Sequence, residues 1–250
     1  MWIAPYDANI LRLETQIKYW RIAPTRHRAL KFEVPFCVRG VISPLLSNLY
    51  MRRFVLGWKR LGHEQQFGGY IVTYADDLVI CCKRGAEEAL AKMRQIMQRL
   101  HLTVNEEKTH VCRVPEEYFD FLGYQFGRFY SAKTGKAYLG TRPSKKSVKR
   151  LIDSIHERTA HKTCLLDAEV LVGSLNRKLR GWANYFKLGP VSKAYQTVDK
   201  YTTTRLRRWL CHKHKTCGGG YSRYPDEHLY ESLGLVRLSA LTRNLPWAKA

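Results

Sequence analysis

A chain of 250 residues and 29.2 kDa, 45% hydrophobic and 12% aromatic, has enough apolar side chain for a buried core, which excludes a mainly disordered protein. Its 43 lysines and arginines against 21 acids, net charge +22 and pI about 9.9, ask for a polyanionic partner. No run approaches the ~18 apolar residues of a bilayer span, the first residues lack the basic and apolar parts of a secretory signal, and seven cysteines between Cys37 and Cys217 make no tight framework. Membrane and secretion are therefore set aside for nucleic acid in a reducing compartment.

In chain order, residues 1–35 are interrupted by Pro5, Pro24 and Pro35, and Leu11, Leu13 and Ile17 suit a short helix. From Ser43-Pro44, an N-cap followed by a first-turn proline, a helix is predicted with Leu45, Leu49, Phe54 and Leu56 as its loose apolar face. YIVTY and LVICC read as a hairpin turning at Ala75-Asp76-Asp77. Ala86, Leu90, Met93, Met97 and Leu100 recur at 4-3-4-3 spacing, the clearest amphipathic helix of the chain. LTVNEEKTHVCRV and FDFLGYQFGRFYSAKTGKAYLG supply further strands, the latter with a turn at Thr134-Gly135-Lys136. After Ser144 three segments read as helices: SVKRLIDSIHERT, AEVLVGSLNRKLRGWANYF and VDKYTTTRLRRWLCHKH. Gly140 and Pro143 interrupt both kinds of regular pattern, so a domain boundary is expected between residues 141 and 142. Beyond it 22 basic residues face 8 acidic ones, a net of +14 against +8 before it.

Adjacent carboxylates at the apex of an apolar hairpin are costly to bury unless paired or bound to a cation, and hard oxygen donors on a rigid turn suit Mg²⁺. Two such ions can activate a 3′-hydroxyl and stabilise the leaving oxygen in nucleotidyl transfer. An ordinary solvated turn, where Asp is common, is the plain alternative for this dipeptide.

The neighbourhood is more specific. Tyr74-Ala75-Asp76-Asp77 is similar to the YADD box of reverse transcriptases. GVISPLLSNLYM (Gly40–Met51), LTVNEEKTHV (Leu102–Val111) and FDFLGYQF (Phe119–Phe126) surround it in that family's order. SLNRKLRGWANYFKLG (Ser174–Gly189) resembles the thumb, or maturase, region of group II intron reverse transcriptases, and the segment from Tyr224 resembles the end of the bacterial members. The resemblance runs over roughly residues 39–250. It implies an α+β chain: an atypical segment 1–38, a partial palm of antiparallel sheet and helices over 39–141, and a helical RNA-binding thumb over 142–250. It further implies Asp76 and Asp77 as catalytic Mg²⁺ ligands, Tyr74 beside the primer end and Lys108 near the incoming phosphates. Core packing for Tyr74 and a solvated turn for Lys108 are the plainer readings.

Two departures from the family pattern bear on activity. The family carries another metal-binding aspartate on an earlier strand, where only Asp7 precedes the glycine-rich box here, in a context that does not match. That box reads Cys37-Val38-Arg39-Gly40, without the family's glutamine and with Arg39 where bare backbone should approach the substrate. An N-terminally truncated family member is the expectation, its fingers absent and its polymerase activity lost or severely impaired. A ~10³-fold loss of rate would correspond to roughly 4 kcal/mol of transition-state stabilisation.

The basic half interleaves cations with aromatics. Arg177, Lys178, Arg180 and Lys187 form one candidate RNA-binding cluster, with Leu175, Leu179, Trp182 and Phe186 as the apolar stripe of the same helix. Arg205, Arg207 and Arg208 form a second, followed by Lys213 and Lys215. Cys211, His212, His214 and Cys217 are too cramped for the usual paired zinc ligands. The function expected from the resemblance is RNA-directed DNA synthesis together with intron RNA binding and splicing, in the bacterial cytoplasm. Structured intron RNA is the partner, with a DNA target or primer as a further one. A non-enzymatic splicing cofactor and an inert relic are the rivals.

Overall fold

The computed structural model describes residues 9–14, 43–131, 134–216 and 218–242, with backbone alone at 9–14 and at 43–44. The readings made on Asp7, on the box from Cys37 to Ile42, on Cys217 and on the last residues, 243–250, lie outside the described residues. The chain forms two compact units, Met1–Phe119 and Asp120–Ala250.

In the first unit a four-stranded antiparallel sheet is built from β1 (Asn9–Glu14), β2 (Tyr70–Tyr74), β3 (Asp77–Cys82) and β4 (His110–Arg113), in the order β2-β3-β1-β4. Helices α1 (Ser43–Arg60), α2 (His63–Phe67) and α3 (Ala86–Arg99) supply its core partners. The expected helix around Leu11 and Leu13 is a strand instead, and it is central to the sheet. Its backbone donors and acceptors are taken on both sides by β3 and β4, a tertiary pairing that weak local pattern cannot reveal. The helix begins at Ser43 as predicted, but its buried face is Ser47, Met51, Phe54 and Trp58. Of the expected face only Phe54 is buried; Leu45, Leu49 and Leu56 are exposed, because Phe67 and Met93 gather around the large rings instead. For α3 the predicted stripe holds, with Ala86, Leu90, Met93 and Met97 buried and Gly85 starting the helix at φ 64.

In the second unit, strands β5 (Phe119–Phe121), β6 (Tyr124–Tyr130) and β7 (Ala137–Pro143) form a small sheet in sequence order. Helices α4 (Lys145–Arg158), α5 (Ala168–Tyr185), α6 (Ser192–Lys213) and α7 (Leu238–Leu241) close around Ile155, Leu175, Leu179, Tyr195, Leu206 and Trp209. The division at 119/120 differs from the boundary expected at 141/142. Pro143 does end a strand and Ser144 does cap α4, accepting from the Ser147 N–H at 3.2 Å. Yet the sheet is tied to the helices by hydrogen bonds. The Gly123 carbonyl accepts from the Ser144 N–H at 2.9 Å and the Ser147 hydroxyl at 2.7 Å. The Tyr185 hydroxyl donates to the Leu122 carbonyl at 3.0 Å, and the Tyr124 hydroxyl to the Tyr185 carbonyl. Gly123 sits at φ 78, where an added Cβ would lie 2.8 Å from Ser147 Oγ and 3.0 Å from Phe186. The glycine of FDFLGYQF is thus explained by backbone conformation and close approach together.

Burial pushes the Tyr195 phenol up to about 12, and its hydroxyl donates to the Ala183 and Phe186 carbonyls at 3.0 and 3.1 Å. In the unfolded chain a tyrosine ionises near ~10, so between these values the unfolded state holds fewer protons than the folded one. Stability should therefore be constant with respect to this group below pH ~10 and fall as pH rises toward 12. Denaturation midpoints for Tyr195→Phe should lose part of that alkaline decline.

Candidate functional site

The hairpin is tighter than the sequence suggests. Strand β2 ends at Tyr74 and β3 starts at Asp77, its register partner, leaving Ala75 and Asp76 as the turn. Ala75 takes φ 52, a left-handed conformation that costs an L-residue roughly 1 kcal/mol and here sets the Asp76 carboxylate at the tip. Asp76 is exposed and Asp77 half-buried, so neither lies in the apolar surroundings anticipated for them.

Alternation along β3 explains the placement. Leu78, Ile80 and Cys82 enter the core with Met93 and Phe54. Asp77 shares the other face with Val79, and across the pair it stands with Tyr74, Val72 and Tyr70. Those three are exposed, Tyr74 by 63% and Tyr70 by 70%. Tyr74 is therefore a surface aromatic on the same face as the aspartate, not core packing. Lys108 is exposed in the turn before β4, where its N–H donates to the Asn105 carbonyl at 3.2 Å.

Strand β1 runs antiparallel to β3 and ends with Glu14 at the register position of Asp77. A carboxylate-bearing residue thus occupies the neighbouring strand at the aspartate end of the sheet. No motif of the sequence singles out NILRLE. Among the described side chains, no three His, Cys, Asp or Glu residues gather as a metal site.

The basic residues of the second unit divide by what they touch. On α5, Leu175 and Leu179 are buried while Arg177, Lys178 and Arg180 are exposed, and Lys187 is exposed just beyond the helix. Phe186 is buried at the stripe's end and Trp182 packs partly buried beside it, the rings 4.9 Å apart. On α6 the predicted cluster separates. Arg205 donates from Nε to Thr159 Oγ1 at 3.0 Å and from Nη2 to the Thr159 carbonyl at 2.9 Å, closing the C-terminal end of α4. Arg207 is only 2% exposed; its Nε donates to the Tyr224 carbonyl at 2.8 Å and its Nη2 pairs with Asp226. Lys213 donates to the Leu166 carbonyl at 2.7 Å. These cations are bound to the fold, and Arg208 is the exposed member of its cluster. Charge pattern along a helix cannot distinguish an arginine that caps a neighbouring helix from one that faces solvent. Of the cysteine–histidine group, Cys211 is buried, the His212 ring lies edge-on to His161, and His214 lies beside Tyr224.

An antiparallel sheet with an aspartate pair on its hairpin, joined in sequence to a strongly basic helical unit, defines a protein that works on nucleic acid. Residues 19–126 match the reverse transcriptase (RNA-dependent DNA polymerase) family, and residues 148–224 match the group II intron maturase-specific domain. The chain accordingly belongs to the group II intron reverse transcriptase/maturases, and the maturase-specific domain carries the family's RNA-binding and splicing function. The first match starts at residue 19, upstream of the boxes that carried the resemblance. A comparison with curated proteins gave no match. Among the described residues no helix is long and apolar enough to cross a membrane.

Proposed function

We propose that this chain serves its intron mainly as an RNA-binding splicing factor, and that DNA synthesis by its reverse-transcriptase segment is lost or severely impaired. The observation that carries the reading is the division of α5: an apolar stripe held in the core by Leu175 and Leu179, and an outward row of Arg177, Lys178 and Arg180. Guanidinium and ammonium groups presented this way hold phosphates and fix register without reading bases. Structured RNA, recognised by shape and backbone, suits them. A poorly folded relic is disfavoured by the closed apolar cores of both units.

For the aspartate pair, the donor chemistry fits Mg²⁺: two adjacent hard carboxylates on an accessible hairpin, with Glu14 at the register position beside them. When bound there, Mg²⁺ would supply Lewis-acid activation of a primer hydroxyl and of the phosphate it attacks. Asp76 and Asp77 would hold it, Tyr74 would support the primer from the same sheet face, and Lys108 would meet nucleotide phosphate. A DNA target or primer is the substrate this arrangement implies. The sequence argues for weak turnover, since the glycine-rich box carries Arg39 where the family resemblance implies a bare backbone. Among the described residues, the thiols of Cys81, Cys82, Cys164 and Cys211 suit a reducing compartment such as the bacterial cytoplasm.

The test is primer extension on an RNA template with Mg²⁺ and deoxynucleotides. The expected result is no extension above that of Asp76→Ala. Template-dependent product that disappears in Asp76→Ala would overturn the impaired-polymerase part of the proposal, and its dependence on Glu14→Gln would identify the completing carboxylate.

A further inference from the structure

The end of α6 and the loop that follows it enclose a cavity of about 450 Å³, within the ~300–1,000 Å³ range of small-ligand sites. Its lining combines Arg208, His212 and Lys215 with Thr216 and the Tyr221 ring, and Arg207 forms part of its wall. Thr216 Oγ1 is buried behind this lining without a hydrogen-bond partner. Gly220, at φ 71, brings the loop down onto Cys211; an added Cβ would lie 2.3 Å from Cys211 Sγ, so the loop cannot carry a larger residue there and stay closed. The Arg207 guanidinium lies 4.0 Å from the Tyr221 ring centre, while Nε and Nη2 are anchored by Tyr224 and Asp226. One face of the Tyr221 ring is thus fixed in place, and the residue is still 64% exposed.

We infer that this cavity receives one unstacked nucleotide of single-stranded RNA, its base on the open face of Tyr221 and its phosphate against Arg208 and Lys215. The inference rests on the RNA-binding reading above and adds a specific subsite to it. Aromatic faces hold bases without sequence preference, and exposed cations beside them hold the backbone. A free anion alone would not need the immobilised ring.

The experiment titrates the full chain with fluorescein-labelled hexauridylate and, separately, with uridine monophosphate and inorganic phosphate. Tyr221→Ala should weaken hexauridylate by roughly tenfold, the scale of one lost base-stacking contact, and Tyr221→Phe should retain it. Arg208→Ala with Lys215→Ala should lower the log–log salt slope by about 1.4, at ~0.7 per phosphate contact on a single strand. Uridine monophosphate should compete, and more strongly than phosphate. Hexauridylate binding unchanged within twofold in Tyr221→Ala would overturn the inference. Phosphate competing as well as uridine monophosphate, with no effect of Tyr221, would reduce the cavity to an anion site and overturn it too. Circular dichroism of each variant separates these outcomes from misfolding. Loss of binding to structured intron RNA by the unaltered chain would remove the broader RNA-binding reading, whereas the hexauridylate titration decides the cavity by itself.

Discussion

Replacing Trp209 by alanine should lower the stability of the second unit by ~3–5 kcal/mol, the largest effect expected of any single core truncation here. The indole is 1% exposed among Leu206, Leu210, Tyr195 and their neighbours, and its N–H donates to Thr163 Oγ1 at 3.1 Å. The substitution removes packing together with one hydrogen bond to a hydroxyl that still donates to the Arg158 and Ala160 carbonyls. Gly189→Ala should be comparably severe for a different reason. Gly189 sits at φ 75 with the Thr141 carbonyl oxygen 1.8 Å from the position of an added Cβ, so backbone must shift before any side chain fits. Urea denaturation followed by circular dichroism checks both. A loss under about 1 kcal/mol for Trp209→Ala would mean that this core is not closed as described.

The second large effect concerns salt. Arg177→Ala combined with Arg180→Ala should remove roughly one to two units from the log–log salt slope of binding to structured RNA, because each neutralised phosphate releases counterions. Different RNAs should be weakened about equally if both residues touch only phosphate. Arg205→Ala should behave otherwise. Its guanidinium closes the end of α4 through Thr159, so the change lowers stability by ~1–3 kcal/mol and leaves the slope nearly unchanged. Arg207→Ala should destabilise more, since it removes a nearly buried side chain with its packing and leaves the Tyr224 carbonyl without its donor. Slopes that fall equally for Arg177→Ala with Arg180→Ala and for Arg205→Ala would contradict this division of roles.

What could be read from residues alone follows from how local each signal is. The period of α3 and the hairpin on either side of Ala75 and Asp76 were legible because neighbours in sequence decide them. The α5 stripe was legible for the same reason, and its exposed arginines followed from its opposite face. The buried face of α1 was not. Leucine spacing favoured Leu45 and Leu49, whereas a cluster of Trp58, His63 and Phe67 from the next turn decided which side was covered. Nor was β1, whose place between β3 and β4 is fixed by pairing across the sheet. The junction after β7 misled because Pro143 and Ser144 stop a strand and start a helix without separating domains. In the candidate sites, the aspartates carried their own motif, but the partners of Arg205 and Arg207 lie far away in sequence, in Thr159, Tyr224 and Asp226. The cavity at Tyr221 likewise depends on a glycine loop folding back on α6.

We propose that the exposed cations of the helical unit, rather than the aspartate hairpin, hold intron RNA. This is tested most directly by the affinity of the full chain for structured group II intron RNA at ~0.15 M salt, an ionic strength at which exposed charges are screened beyond ~8 Å. The variants to compare are Arg177→Ala, Lys178→Ala, Arg180→Ala and Lys187→Ala combined, and Asp76→Asn with Asp77→Asn. A loss on the order of 1,000-fold is expected for the first, given ~1 kcal/mol for each of the charge-assisted phosphate contacts, and a change within about twofold for the second. A well-folded quadruple variant that binds as tightly as the unaltered chain, or an aspartate variant that loses the RNA, would contradict it.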